Sequence, residues 1–334
     1  VSRTNRQVHL VSRPQGWVRE SDFRLVEGEV PEPVDGQVLI RNRFVSVDPY
    51  MRGAMNDVVT YRQPFALNAT VPGRSVGEVV ASRLAGYKES DHVFAMTGWS
   101  EYGLAGDDGS LRKIDPAQAP ISYHLGILGM PGMTAYVGMY DLGEPKPGEQ
   151  VYVSAAAGAV GQVAGQLARI RGCRTVGSAG SAAKVAWLTG EVGFDAAFDH
   201  SAESYEAALD RLMPDGVDVY FDNVGGPALD AVLARTNVRA RLVECGMVSQ
   251  YNLTTPQGVH NLGVMTRNRV RMQGFIVSDH AHRLDAFLDE VSGYLRDGRM
   301  HYAEDVVDGI ENTPAAFIGM LKGENMGKRV VRVG

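Results

Sequence analysis

The sequence predicts a two-domain α/β protein, a barrel-like β domain followed by a doubly wound parallel sheet. In the first third, short β-rich segments alternate with turns containing Pro and Gly, the pattern of a small barrel. From Glu149 onward, short and nearly all-apolar strands alternate with helical segments, which implies a parallel sheet covered on both faces. A length of 334 residues agrees with about two domains.

Strands are expected at Gln7–Val11, Phe23–Val30 and Gln37–Val47, parted by Pro14-Gln15-Gly16 and by the Pro-rich stretch 31–36. A further pair, Gly77–Leu84 and His92–Thr97, brackets the turn at Ala85-Gly86. Near Ser122 the pattern turns helical, and Leu125–Leu142 reads as a helix that Pro131 breaks or kinks before Met133–Tyr140 resumes it. The alternation then gives strands at Val151–Ser154, Arg174–Gly177, Asp195–Asp199, Val217–Asp222 and Ala240–Cys245. Helices are expected between them at Val160–Arg171, Ala182–Leu188, Ser204–Leu212 and Leu229–Arg235. Leu284, Phe287, Leu288, Val291 and Leu295 form an apolar helix stripe. Thr313-Pro314 reads as an N-cap with proline at the first helical position, and Lys328–Val333 as a closing strand.

Composition narrows the function classes. Hydrophobic content of 44% and charged content of 22% are those of a folded globular chain rather than a disordered one. A net charge of -6 gives no basic face for nucleic acid. Two cysteines, Cys173 and Cys245, make neither a disulfide framework nor a thiolate metal site, and they suit a reducing compartment. The segment Val1–Leu10, with Arg3, Arg6 and His9, lacks a secretory apolar stretch. Val151–Ile170, interrupted by Ser154, Gln162, Gln166 and Arg169, falls short of a membrane span. The expectation is a cytoplasmic protein.

The most informative stretch is Val151–Gly165, where a strand runs into Ala155-Ala156-Ala157-Gly158-Ala159-Val160-Gly161 and then a helix. Gly158, Ala159, Val160 and Gly161 form the kind of turn that lets backbone amides approach a pyrophosphate. Glycine permits the dihedrals and the close approach, and the helix N-terminus offers a positive dipole end. A Gly/Ala-rich strand-to-helix turn without a ligand is the bland alternative, but this one heads a series of βα units. NAD sites usually place Asp or Glu about 20 residues further on, to bind the ribose 2′-hydroxyl. Here the second strand ends in Gly177-Ser178-Ala179-Gly180-Ser181, with Lys184 after it. Small residues and a cation leave room for a 2′-phosphate, so NADPH/NADP is the expected cofactor, although Lys184 also fits a solvated helix face.

At this point the chain resembles a known family over nearly its whole length. The residues carrying the resemblance are Val47–Gly53, Ala155–Gly161, Tyr220–Gly226, Cys245–Asn252, Gln273–Val277 and Gly323–Lys328, six segments in order. They are similar to the zinc-free medium-chain dehydrogenase/reductases, close to the prostaglandin reductase, leukotriene B4 12-hydroxydehydrogenase and alkenal double-bond reductase group. The resemblance implies a GroES-like β-barrel catalytic domain over 1–123, completed by 300–334, and a Rossmann domain over 124–299. It implies NADPH-dependent reduction of the carbon–carbon double bond of α,β-unsaturated ketones or aldehydes, and a homodimer. It further places Gly158 to Gly161 at the pyrophosphate and Lys184 at the 2′-phosphate. Asn223 and the loop Cys245, Gly246, Met247, Val248, Ser249 and Tyr251 fall along the nucleotide. Phe275, Ile276, Val277 and Asn325 fall near the nicotinamide end. One departure stands out: where relatives commonly have tyrosine after the third strand, this chain has Phe198-Asp199-His200. His200 is either a replacement contact near the adenosine phosphate or a surface loop histidine.

The zinc branch carries a Gly-His-Glu segment and clustered cysteines in its catalytic domain. The matching stretch here is Pro72-Gly73-Arg74-Ser75-Val76-Gly77, and no cysteine precedes Cys173. The usual nitrogen and sulfur ligands are therefore missing from the first domain, and no metal is expected. Without a metal, negative charge developing on the carbonyl oxygen needs a protein donor, and a tyrosine hydroxyl, protonated below a pKa of about 10, suits that task. Tyr251 follows the fifth strand, at the carboxyl ends of the strands where ligands sit. Tyr50 follows Asp48-Pro49, a loop the resemblance puts at the substrate cleft. Asp48 and Arg52 read as an N-cap and a structural ion pair at a short helix rather than as an acid or anion clamp. Tyr61 and Phe65 fall in a candidate covering loop. Two alternatives stay open: a quinone oxidoreductase using NADPH, and a non-catalytic NADPH-binding protein.

Overall fold

The computed structural model describes residues 4–107 and 109–333; Arg3, named above, lies outside them. The chain forms two compact units. The first runs to Leu125 and takes back the chain from Glu304, and the second is Gly126–Ala303.

The first unit opens with strands β1 (Thr4–Leu10), β2 (Phe23–Glu29) and β3 (Gln37–Ser46), then the short helix α1 (Tyr50–Ala54). It continues with β4 (Ala69–Thr70), β5 (Ser75–Ser82), β6 (His92–Ala95), β7 (Tyr102–Gly106) and β8 (Arg112–Lys113). The second unit holds α2 (Met130–Val137), β9 (Gln150–Val153), α3 (Gly161–Ile170), β10 (Arg174–Ala179), α4 (Ala182–Trp187) and β11 (Ala196–Asp199). After these come α5 (Tyr205–Leu212), β12 (Val217–Asp222), α6 (Gly226–Arg235), β13 (Thr236–Glu244), α7 (Val264–Asn268), β14 (Arg271–Gly274) and α8 (Leu284–Arg296). The returning segment supplies β15 (Glu304–Asp308), α9 (Thr313–Leu321) and β16 (Lys328–Arg332) to the first unit.

In the first unit, β1 pairs antiparallel with β2 and β4. A larger sheet runs β15-β16-β3-β5-β6-β8. The long β3 organises it: β5 lies along one edge, while β7 and then β16 share the other. This is the GroES-like sheet domain. Phe23, Trp99 and Phe317 pack at centroid separations of 5.6, 5.7 and 6.5 Å. Phe317 belongs to α9, so the returning segment supplies core and not only an edge strand. Truncating a buried aromatic of this kind costs roughly 3–5 kcal/mol.

The second unit has six parallel strands in the order β11-β10-β9-β12-β13-β14. Successive strands step one way from β9 to β11 and the other way from β12 to β14. This is the Rossmann arrangement, and its switch point lies between the carboxyl ends of β9 and β12. Tyr152, Tyr220 and Phe198 stack across the central strands, with Tyr152 5.1 Å from Tyr220 and 6.0 Å from Phe198.

Several elements differ from expectation for identifiable reasons. Pro131 lies in the first turn of α2, where its missing N–H has no helical partner to lose, so it opens a helix instead of kinking one. The helix then continues as a π turn over Gly138–Gly143. Thr313 is not the N-cap; Asn312 holds that position, and the Thr313 hydroxyl donates to the Ile310 carbonyl at 2.7 Å. β14 reads Arg-Met-Gln-Gly at a sheet edge, largely exposed, and carries no apolar run that would announce it. Phe65 is buried in the core of the first unit, so it covers nothing, whereas Tyr61 is exposed.

Candidate functional site

The turn between β9 and α3 is built from backbone. Ala155 adopts a left-handed φ of 46°, and the Gly158 N–H donates to its carbonyl at 2.9 Å. The Ala156 N–H donates across to the Ser178 carbonyl at 2.8 Å, which ties the turn to the end of β10. At Gly161 a Cβ would stand against the Ala155 carbonyl and 2.7 Å from Ala156 Cα, so glycine is required where α3 begins. One turn further, a Cβ on Gly165 would collide with the Phe194 ring, and glycine lets α3 pack down on the sheet. Gly158, Ala159 and Val160 remain half-buried at the helix N-terminus while the residues on either side are buried. A narrow backbone cradle ending on a helix dipole fits a pyrophosphate.

Beyond β10 the chain runs through Gly180 and Ser181 into α4. Ser181 caps that helix by accepting the Lys184 N–H at 3.4 Å. No carboxylate stands in this strand-to-helix turn, 178–184. His200, just past β11, donates its N–H to the Ala179 carbonyl at 3.0 Å. Its ring lies 3.3 Å from where a Gly180 Cβ would be, and it stacks on Tyr205 with centroids 5.7 Å apart. Burial lowers the His200 imidazole below its usual value and the Lys184 charge pushes the same way, against Asp199. Lys184 and His200 thus flank one strand end. Tyr205, the platform under His200, is absent from the expected site because a helix-start tyrosine looks like ordinary packing.

The switch point is pinned by Asn223. Its Nδ2 donates to the Ser154 carbonyl at 2.8 Å, and its own N–H donates to Ser154 Oγ at 2.9 Å. The loops after β12 and β13 then lock together. Ser249 Oγ donates to the Val224 carbonyl at 2.6 Å, and the Val248 N–H donates to the Asn223 carbonyl at 3.1 Å. Gly225 and Gly226 have positive φ, and a Cβ on either would meet Met247 at 2.9 Å or Gln250 at 2.5 Å.

Tyr251 closes this second loop. Its hydroxyl accepts the Met247 N–H at 3.3 Å and would lie 2.9 Å from a Cβ on Gly246. Gly246 is therefore what lets the phenol fold back over the carboxyl end of β13. Phe275, Ile276 and Val277 are half-buried just past β14, with the Phe275 ring edge-on to His280 and against Gly138.

Beneath these loops lies a pair of carboxyls. Asp222 and Glu244 are neighbours in the β12–β13 register. Asp222 Oδ1 accepts from Tyr220 Oη at 2.6 Å, Ser154 Oγ at 3.1 Å, and the N–H groups of Val224 and Gly225 at 2.8 Å. Asp222 Oδ2 and Glu244 Oε1 are buried without a donor. Burial and the Asp222 charge push Glu244 up to about 8. The Cys245 thiol is pushed up to about 12 by burial and by both carboxyls, so it is no nucleophile.

In the first unit, Tyr50 opens α1. Its hydroxyl accepts from Arg74 Nη1 at 3.2 Å, and the Arg62 guanidinium lies over its ring at 3.9 Å from the centroid. Burial raises the Tyr50 phenol above its usual value, Asp48 adds to this, and the two arginines oppose it. Asp48 does not cap the helix. Its carboxylate accepts Lys328 Nζ at 3.2 Å and Ser46 Oγ at 2.8 Å. Arg52 reaches the Gly16 carbonyl at 2.9 Å and Asn56 Oδ1 at 2.7 Å. The buried Lys328 also donates to the Val47 carbonyl at 2.7 Å, fastening the start of β16 to the Tyr50 loop. Asn325, in the turn before β16, donates to the Gly327 carbonyl at 2.7 Å. Arg62, Arg74 and Lys328 escape sequence reasoning, since nothing in their local pattern distinguishes them from solvated cations.

Among the described residues no group of three or more His, Cys, Asp or Glu side chains is placed to hold a metal ion, and no helix is long and apolar enough to cross a membrane.

Comparison with known proteins agrees with this architecture. Residues 6–114 match the family described as N-terminal domain of oxidoreductase, and 159–293 the family described as zinc-binding dehydrogenase. The chain is 43% identical over 335 residues to the NADPH-dependent curcumin reductase of Escherichia coli, covering 98% of this chain and 97% of that one. It is 44% identical to the NADP(+)-dependent 2-alkenal reductase of Nicotiana tabacum, with 99% and 98% covered. The crystal structure of CurA from Vibrio vulnificus in complex with NADPH superposes with a TM-score of 0.94 at 40% identity, covering 98% of this chain and 99% of that one. Relatives this similar over the whole length settle the matter: the chain belongs to the zinc-free medium-chain dehydrogenase/reductase family.

Proposed function

We propose that this chain is an NADPH-dependent reductase that saturates the carbon–carbon double bond of α,β-unsaturated ketones and aldehydes. Hydride goes to the β-carbon, and a tyrosine hydroxyl stabilises the charge that develops on the carbonyl oxygen. The names of the relatives, a curcumin reductase and an alkenal reductase, support the reaction class. The observation that carries the reading is that the Gly158–Gly161 cradle and the Tyr251 hydroxyl occupy the same carboxyl edge of one parallel sheet.

In this reading the first amides of α3 hold the pyrophosphate. Ser181 and Lys184 receive the 2′-phosphate, with His200 beside them. Asn223 and the 245–251 loop line the nucleotide, and Phe275–Val277 and Asn325 serve its nicotinamide end. The bound cofactor supplies the hydride. Tyr251 supplies a hydrogen bond that strengthens as the enolate forms, which is where binding energy lowers a barrier. Its oxygen already accepts the Met247 N–H, and accepting a hydrogen bond polarises the phenol O–H and strengthens it as a donor. Tyr50, kept protonated by burial, is a second donor at the substrate.

A quinone oxidoreductase uses the same cofactor site, so the test is substrate choice. NADPH oxidation is followed with a small enone, a quinone and a saturated ketone. Turnover of the enone and not of the saturated ketone is expected. Turnover of the quinone alone would move the assignment, and bound NADPH that none of the three oxidises would make the chain a non-catalytic binder.

A further inference from the structure

We propose that Lys328 is a positioning residue for Tyr50: by holding the Asp48 carboxylate, its ammonium keeps the Arg74 guanidinium on the phenol. The inference rests on the reading that makes Tyr50 a donor at the substrate.

Lys328 opens β16 and is 2% exposed. It stands opposite Glu304 in the β15–β16 register, just after the turn where Gly327 takes a φ of 72°. Its Nζ donates to the Val47 carbonyl at 2.7 Å, the Arg329 carbonyl at 2.9 Å and Asp48 Oδ1 at 3.2 Å. Three acceptors call for the three N–H bonds of an ammonium, one more than the neutral amine carries. Burial lowers this group below its usual value, while Asp48 and Glu304 oppose the shift. A buried charge of this kind is costly, and an apolar side chain would join β16 to the Tyr50 loop with less desolvation. Fastening the two segments together therefore does not account for a lysine. Its charge is explained by what it does to Asp48.

Both Asp48 oxygens are occupied, Oδ1 by Lys328 and Oδ2 by Ser46 Oγ at 2.8 Å. Arg74 Nη1 lies 4.0 Å from Oδ2, beyond a hydrogen bond, and donates instead to the Tyr50 hydroxyl at 3.2 Å. One guanidinium nitrogen thus stands between a carboxylate and a phenol, and it sits on the phenol. A carboxylate is the stronger acceptor for a guanidinium, so Asp48 would take Arg74 unless another cation held it. Lys328 is that cation. The Arg74 backbone is fixed, since its carbonyl accepts the Ser46 N–H at 2.9 Å; only the guanidinium has to turn. A donor into the phenol oxygen polarises the O–H toward the substrate, the part that the Met247 N–H plays for Tyr251.

The test is Lys328→Met, which keeps the length of the side chain and removes its charge. In a crystal structure of this variant, Arg74 Nη1 is expected on Asp48 and off the phenol. With a simple enone, kcat should fall roughly tenfold with KM little altered, the size of one lost hydrogen bond to a reacting group. Adding Asp48→Asn removes the competing carboxylate, so the double variant should return Arg74 to Tyr50 and recover most of the lost kcat. Lys328→Arg, which keeps the charge, should lose less than Lys328→Met. Arg74 still on the phenol in Lys328→Met, or a double variant no faster than Lys328→Met, would overturn the proposal. If Lys328→Met does not fold, Lys328→Gln carries the test. Its loss of kcat should vanish when Arg74→Gln is already present, because Lys328 acts through Arg74; a loss that persists there would refute the claim. Tyr50→Phe separates the two readings. Full turnover in that variant would sink the donor reading, while displacement of Arg74 in the Lys328→Met crystal structure would still uphold the positioning.

Discussion

The carboxyl edge of the parallel sheet and the Tyr50 corner of the first unit are built from different materials. At the sheet edge the positions are set by glycine: a Cβ would strike the turn's own backbone at Gly161, the side chains of the 247–250 loop at Gly225 and Gly226, and Tyr251 at Gly246. At Tyr50 they are set by charge: Arg74 and Lys328 hold Asp48, and Arg62 and Arg74 hold the phenol. A backbone-built site is rigid before anything binds and suits a ligand common to many reactions. A site built from long charged side chains has unspent electrostatic potential and suits discrimination among substrates. In the proposed reading the backbone-built edge serves the cofactor and carries the Tyr251 donor.

Breaking the backbone-built side should have the largest effect. Gly161→Val would force the β9–α3 turn apart, and NADPH affinity measured by fluorescence should fall by at least about a hundredfold, the size expected when close approach to a phosphate is lost together with its hydrogen bonds. Lys184→Ala should weaken NADPH by roughly ten- to a hundredfold, as for loss of a charge-assisted contact, and leave NADH nearly unchanged; equal losses for both cofactors would remove the 2′-phosphate assignment. Tyr251→Phe should lower kcat by about tenfold or more with KM little altered. Unchanged turnover would transfer the role to Tyr50, and with it the chemistry to the charged side of the comparison.

The smallest effect concerns the floor of the sheet edge. Glu244 is raised from its usual value to about 8 by burial and by Asp222. Its folded form holds a proton that the unfolded chain releases near pH 4.5, so its contribution is full below that pH and falls away as pH rises toward 8. Glu244→Gln, which keeps a donor toward Asp222 and cannot ionise, should flatten this loss. The measurement is Tm at pH 5 and at pH 8.5. A gain confined to the higher pH is expected, of roughly 2–4 °C for each kcal/mol recovered. An equal shift at both values would mean the pair does not share a proton.

The two regions also differ in how far they could be read from the sequence. Glycine leaves a trace that survives in one dimension, so the β9–α3 turn and the strand alternation around it were legible, Val217–Asp222 to the residue. The missing carboxylate after β10 was legible for the same reason, as an identity at a fixed offset. Charged side chains leave no such trace. Arg62 and Arg74 meet at Tyr50 only because a loop and the start of β5 converge there, and Lys328 comes from the far end of the chain. Glu244 closes a strand whose apolar residues predicted burial, yet a terminal glutamate suggests solvent; its partner Asp222 is brought alongside by strand pairing. β14, polar and exposed at the sheet edge, shows the same limit for secondary structure.

The central claim, reduction of a carbon–carbon double bond with hydride delivered to the β-carbon, is tested most directly by isotope transfer. NADPH carrying deuterium at both nicotinamide C4 positions is oxidised by the protein with a simple enone, and the product is examined by NMR and mass spectrometry. The account predicts a saturated ketone carrying one deuterium on the β-carbon. Deuterium on a carbinol carbon, or a product without label, would contradict it.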